Sequence, residues 1–179
     1  VLDGGRVKWE KDGRPLTTVV PTLPAGNFVA TKADKALRAT LINDVLPVAK
    51  KRVKADLIDI RGADEYNGKI FAAPGFQELS VRAGHIPGAI NVPWGANVNA
   101  DGTFKTVAEL KKLYADKGVD GKQNIITYCR IGERSSLTWF VLSEILGYNV
   151  KNYDGSWTEY GNSVGVPIVN NAGTIWGAA

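Results

Sequence analysis

Ile125-Ile126-Thr127-Tyr128-Cys129-Arg130-Ile131-Gly132-Glu133-Arg134-Ser135-Ser136 is the stretch on which the fold turns. An apolar, strand-like run leads into the only cysteine of the chain, and a helix-like run, residues 136–146, leads away. Strand, short polar loop and helix in that order aim successive backbone N–H groups and a helix N-terminus at one point. A thiol at the start of such a loop sits in a positive field that favours the thiolate, which makes Cys129 the candidate nucleophile. Arg130 and Arg134 suit an anionic substrate carrying a sulfonate-like or phosphate-like group. Gly132 lets the chain bend so that its amides converge. Glu133 is a poor anion ligand; a place at the helix N-terminus, or a pairing with a neighbouring arginine, accounts for it.

Around this unit, strands and helices alternate. Ala55-Asp56-Leu57-Ile58-Asp59-Ile60 reads as an apolar strand, and Arg61 to Tyr66 as a turn into a short helix. Residues 67–83 are an irregular excursion, Gly84 to Gly88 a compact turn, and Ala89 to Trp94 a short strand. Asn97 to Thr103 is loop. Val107, Leu110, Leu113 and Tyr114 then mark an amphipathic helix closed by Gly118. Gly147 ends the central helix, and residues 148–153 form a last strand. Upstream, Phe28-Val29-Ala30 reads as a short strand, and Leu37, Leu41, Ile42, Val45 and Leu46 as one face of a helix interrupted by Pro47. The expected fold is α/β: a parallel sheet of about five strands with helices on both faces. Ligands of such sheets lie beyond the carboxyl ends of the strands, where Asp59, Arg61 and Cys129 can share a cleft.

The ends of the chain resemble each other. Val1-Leu2-Asp3-Gly4-Gly5 reads as a strand running into a glycine turn, followed by Trp9 and Gly13-Arg14-Pro15; Asp154-Gly155-Ser156 is followed by Tyr160 and Gly165-Val166-Pro167. Asp to aromatic is six residues in both, which suggests an internal duplication. Residues 1–16 then read as the end of a first repeat, 17–27, with two prolines, as a linker, 28–169 as the main domain, and 170–179 as a tail. The chain starts at Val1 and contains no methionine, from which a preceding segment is expected.

With 179 residues, 44% hydrophobic and 22% charged, the composition is that of a globular protein with one sizeable core. A net charge of +4 without a basic block argues against a nucleic-acid partner, and Lys50-Lys51-Arg52-Val53-Lys54 reads as a solvated helix end. No apolar run approaches a membrane span. One cysteine allows no internal disulfide, which fits the reducing cytoplasm. One Cys and one His offer no metal cluster, and neither GxxxxGK[ST] nor GxGxxG occurs, so no cofactor is expected. His85, the only histidine, sits in a turn where a ring bonded to backbone is the simplest role.

Three motifs in order carry a family resemblance: Leu57-Ile58-Asp59-Ile60-Arg61 with Glu65-Tyr66; Gly84-His85-Ile86-Pro87-Gly88-Ala89-Ile90-Asn91-Val92-Pro93-Trp94; and Tyr128-Cys129-Arg130-Ile131-Gly132-Glu133-Arg134-Ser135. Together they resemble the rhodanese (thiosulfate sulfurtransferase) family, and the whole chain is similar to the carboxyl-terminal, catalytic half of a tandem member. The resemblance implies a rhodanese-like fold and a Cys129 persulfide that carries sulfur from thiosulfate, a small anionic donor, to cyanide or a thiol. It implies substrate contacts from the loop, Arg130, Ile131, Gly132, Glu133, Arg134 and Ser135, and from Arg82. Asp59, Arg61 and His85 would support them, Asp59 and Arg61 as an ion pair or strand-end brace. A first, inactive rhodanese domain is the implied partner.

The chain departs from that pattern in two places. Vertebrate-like thiosulfate enzymes resemble it less at Ile131, where they carry lysine, and at Glu65, where they carry arginine. Mercaptopyruvate-specific relatives tend to have small residues after the cysteine, so Arg130 favours thiosulfate, with 3-mercaptopyruvate as the alternative donor. Rhodanese-like phosphatases have a loop one residue longer, and regulatory rhodanese domains typically lack the cysteine.

Overall fold

The computed structural model, which describes residues 1–173 except 31, 33 and 78, sets the cysteine unit in the middle of one parallel sheet. Its strands are β1 (Arg38–Ala39), β2 (Asp56–Asp59), β3 (Ile90–Asn91), β4 (Ile125–Tyr128) and β5 (Val150–Tyr153), in the order β1-β5-β4-β2-β3. Every neighbouring pair is parallel. All carboxyl ends therefore share one edge, and Asp59 pairs in register with Tyr128, so the residues that follow each strand emerge side by side.

Strand periodicity sends consecutive apolar residues to opposite faces, and each face finds its own helices. Leu57, Ile126 and Tyr128 pack with Val45 and Ala49 of the segment ending in α2 (Leu46–Ala49) and with Trp157 and Tyr160 of α6 (Ser156–Asn162). Ile58, Ile125 and Val150 pack instead with Leu110 and Tyr114 of α4 (Val107–Ala115) and with Val141 and Leu142. The last two belong to a π-helical turn, Val141–Ile145, that continues α5 (Glu133–Phe140). Helices thus cover both faces. The start of α4 is set by a capping box: Thr106 Oγ1 accepts the Glu109 N–H, and the Glu109 carboxylate accepts the Thr106 N–H at 2.9 Å. A short helix, α3 (Ala63–Tyr66), follows β2 as the turn at Arg61 suggests. Among the described residues, no helix is long and apolar enough to cross a membrane.

The amino-terminal third departs from the sequence reading. Residues 28–30 form no strand; they lie exposed, and the edge strand is Arg38–Ala39, against β5. The helix expected from Leu37 to Leu46 is broken by that strand. It begins only after Thr40, whose extended backbone and side-chain oxygen cap Leu41–Val45, a π-helical turn. Pro47 does not interrupt it. Helical turns run through it from Leu41 to Ala49, with Pro47 at the second position of α2. Residues 1–2 are likewise no strand; among the described residues they pair with no strand of the sheet.

Two short helices at opposite ends of the sequence share several features, although Gly4, before the first, is left-handed at φ 83° and Gly155, before the second, is not, at φ −60°. α1 (Gly5–Lys11) and α6 each have seven residues and start two residues after an aspartate, Asp3 and Asp154. Each opens on a residue of positive φ, 56° at Gly5 and 48° at Ser156. Four residues on, an aromatic donates to a proline carbonyl: Trp9 Nε1 to Pro15 O at 2.9 Å, Tyr160 Oη to Pro167 O at 2.7 Å. The expected tail, 170–179, falls outside the described residues from 174 onward.

Candidate active site

Cys129 follows β4 directly and is fully buried, with α5 starting four residues later. The first N–H groups of a helix have no acceptor within it, so the positive end of α5 adjoins the thiol. Gly132 caps the helix at φ 82°, and its bare Cα lies where a β-carbon would come within 2.6 Å of the Asp154 backbone. Its carbonyl accepts from Asn152 Nδ2 at 3.0 Å and from Ser135 Oγ at 3.1 Å. The Ser135 hydroxyl lies 2.7 Å from Asn152 Oδ1 as well. Gly132 and Ser135 are therefore buried on the side of the loop that rests on the turn after β5.

The other side opens on a cavity of about 340 Å³. Cys129, Arg130, Ile131, Glu133 and Arg134 line it, joined by Glu65 from α3. Ala73, Phe76 and Trp94 complete the wall. Arg134 forks onto Glu65, Nη2 to Oε1 at 3.2 Å and Nη1 to Oε2 at 3.4 Å, and Glu65 is itself 2% exposed. Arg130 donates to the Gln77 carbonyl at 2.6 Å and lies 5.7 Å above the Phe76 ring. Glu133 is the first residue of α5, which the helix dipole favours, and Arg134 has taken Glu65 rather than Glu133 as its partner. The cavity thus holds two guanidiniums, one neutralised by a buried carboxylate.

Arg82, Asp59, Arg61 and His85 do not line this cavity. Arg82 turns its guanidinium to the carboxyl end of α6, donating to Gly161 O at 2.9 Å and to Ser163 O. Asp59 and Arg61 form a buried pair at 2.7 Å, and Arg61 also donates to Gly84 O and stacks 4.6 Å from the Trp157 ring. Burial works against the Arg61 charge, but the Asp59 carboxylate more than offsets it, so its proton is held more tightly than usual. His85 stacks on Tyr66, centroids 3.7 Å apart, with Nδ1 2.7 Å from the Tyr66 carbonyl. Its backbone pairs with Val169.

Glu65, Phe76 and Trp94 escaped the sequence reading as members of one cavity. Glu65 had a signal, a carboxylate in a place where some relatives carry arginine. Phe76 had none, since it lies in an irregular segment and reaches the cavity only through the fold.

The model of the rhodanese-like domain matches residues 45–163. Among curated proteins, one of Mycobacterium leprae named "Putative thiosulfate sulfurtransferase" is 56% identical over 170 residues, 94% of this chain and 60% of that protein. The sulfur carrier protein TtuD of Thermus thermophilus is 51% identical over 172 residues, again 60% of its length. The chain thus spans less than two thirds of these relatives. Among solved structures, the Escherichia coli 3-mercaptopyruvate sulfurtransferase SseA superposes with a TM-score of 0.70 and 32% identity, covering 87% of this chain and 55% of that one. The anaerobic ergothioneine biosynthesis enzyme of Chlorobium limicola does so with 0.77 and 26%, covering 96% and 41%.

Proposed function

This chain belongs to the rhodanese-like domain family, and from that premise we propose that it is a sulfurtransferase taking the outer sulfur of thiosulfate onto Cys129. The observation that carries the reading is the cysteine loop itself. A thiol placed between β4 and the positive end of α5 opens on a cavity holding Arg130 and Arg134. The thiolate attacks the outer sulfur, the S–S bond breaks, and sulfite departs with the bonding pair, leaving a Cys129 persulfide. A thiophilic acceptor, cyanide or a cellular thiol, then attacks the terminal sulfur and returns the thiolate. Loop and α5 amides hold the persulfide charge, and Arg130, not tied to a carboxylate, holds the oxyanions of the donor. Ile131, Gly132, Glu133 and Ser135 serve by shaping the loop. Four residues between Cys129 and Arg134 leave room for one sulfur rather than a phosphate, which separates this reading from a phosphatase.

Mercaptopyruvate is a second donor reading, favoured by the likeness to SseA and by the Glu65–Arg134 pair, which lowers the charge available to a dianion. We also propose that residues 1–16 close a first rhodanese-like unit, 17–27 link it to the catalytic domain at 28–169, and that unit is a partner. The shared length and aromatic-to-proline bond of α1 and α6 and the greater length of the relatives support this. A cytoplasmic site of action fits a thiol that must stay reduced.

Intact mass after incubation with thiosulfate, and separately with mercaptopyruvate, tests the reading. The protein should gain one sulfur and lose it to cyanide as thiocyanate, while Cys129→Ser gains none. A sulfur gained equally by Cys129→Ser, or by neither protein with either donor, overturns it.

A further inference from the structure

The start of α6 hydrogen-bonds the backbone of the cysteine on both sides. Cys129 donates its N–H to Ser156 Oγ at 3.1 Å, and Ser156 Oγ donates in turn to the Tyr153 carbonyl at 2.6 Å. The Cys129 carbonyl accepts from the Trp157 N–H at 3.1 Å, and the Arg130 carbonyl from the Thr158 N–H at 2.9 Å. Ser156 and Trp157 of α6 therefore hold both ends of the cysteine's backbone, and Thr158 holds the next carbonyl. Ser156 is wholly buried, and its φ of 48° is one that a β-carbon disfavours.

The chain contains its own comparison. Gly5 stands where Ser156 stands, two residues after an aspartate and four before an aromatic bonded to a proline carbonyl, and has nearly the same φ. That φ is thus available to glycine, the residue that adopts it without strain. What serine adds at 156 is a hydroxyl, and that hydroxyl is spent on the amide of Cys129.

We propose that Ser156 is a positioning residue for the Cys129 thiolate, with strain at its backbone retained for the sake of that bond. The Cys129 N–H is drawn away from the cavity, so the amides left to face the sulfur are those further along the loop, and Sγ is fixed in relation to them. The proposal rests on Cys129 being the reactive group, and its test is built to fail separately from the choice of donor.

Two variants divide positioning from stability. Ser156→Gly removes the hydroxyl and relieves the strain; Ser156→Ala removes the hydroxyl and keeps the strain. Both should react about tenfold more slowly with iodoacetamide at one pH and in single-turnover persulfide formation, the scale expected of a small misplacement of a reacting atom. KM for thiosulfate should hold, and the Gly variant should melt at or above the wild-type temperature while the Ala variant melts below it. Slower reaction in both despite opposite stabilities supports the proposal. Wild-type rates in either variant, or rates that follow melting temperature, overturn it. If the wild type takes no sulfur from thiosulfate while alkylation slows in both variants, positioning stands and the donor reading falls.

Discussion

His85 stacks its ring on Tyr66, the last residue of α3, and burial pushes its imidazole below the ordinary value of 6.5, against the raising effect of the Tyr66 carbonyl. The unfolded chain binds that proton more readily than the folded one, so stability falls as pH drops through and below about 6.5. Thermal melting should accordingly decline between about pH 7.5 and 5.5, and His85→Asn, whose amide can still reach the Tyr66 carbonyl, should flatten that decline. Lost stacking would lower its stability at pH 7.5 by about 1 kcal/mol. An unchanged slope would mean that another group titrates. The candidate site was legible in sequence as a lone cysteine after an apolar run, with two arginines following it. Ser156 was not, because its importance lies in one hydrogen bond to a residue 27 positions away. Arg82 misled for the opposite reason. Proximity to Gly84 suggested the cleft, and carbonyls at the end of α6 claimed the guanidinium.

At the scale of elements, the cysteine loop stands on the turn after β5, and Gly132 is the point of closest approach. A β-carbon there would meet Asp154 Cα at 2.6 Å and Asp154 O at 2.7 Å, backbone atoms that cannot swing aside, at a φ of 82°. Gly132→Ala should destabilise the fold by more than ~1 kcal/mol and slow sulfur uptake, read by chemical denaturation and intact mass. A variant as stable as the wild type would show that loop and turn move together freely. The central elements were readable because β2 and β4 are short apolar runs with a polar residue at each carboxyl end. β1 was not, being two residues long and held as a strand by β5 alone. A hydrophobic spacing that spans Leu37 to Leu46 cannot reveal that Thr40 restarts the helix.

Over the whole molecule, residues 16–30 run without regular structure and exposed throughout, carrying Val20 and Phe28 at 88% and 89% exposure. Beyond them, Asp3, two residues before α1, is bonded to the body: its carboxylate accepts the Phe104 N–H at 2.8 Å. A protease of broad specificity should cut first between 16 and 30 and leave a fragment that still contains the sheet, identified by mass. First cuts inside the 105–170 region would contradict that picture. The sequence by itself determined the strand–loop–helix unit around the lone cysteine and the parallel α/β class, because each depends on neighbours within a few positions. Tertiary structure alone decided that Arg134 is neutralised by Glu65, that Phe76 and Trp94 wall the cavity, and that Ser156 holds the cysteine's amide. These partners come from separate connections at one edge of the sheet, and only the strand order brings those connections together.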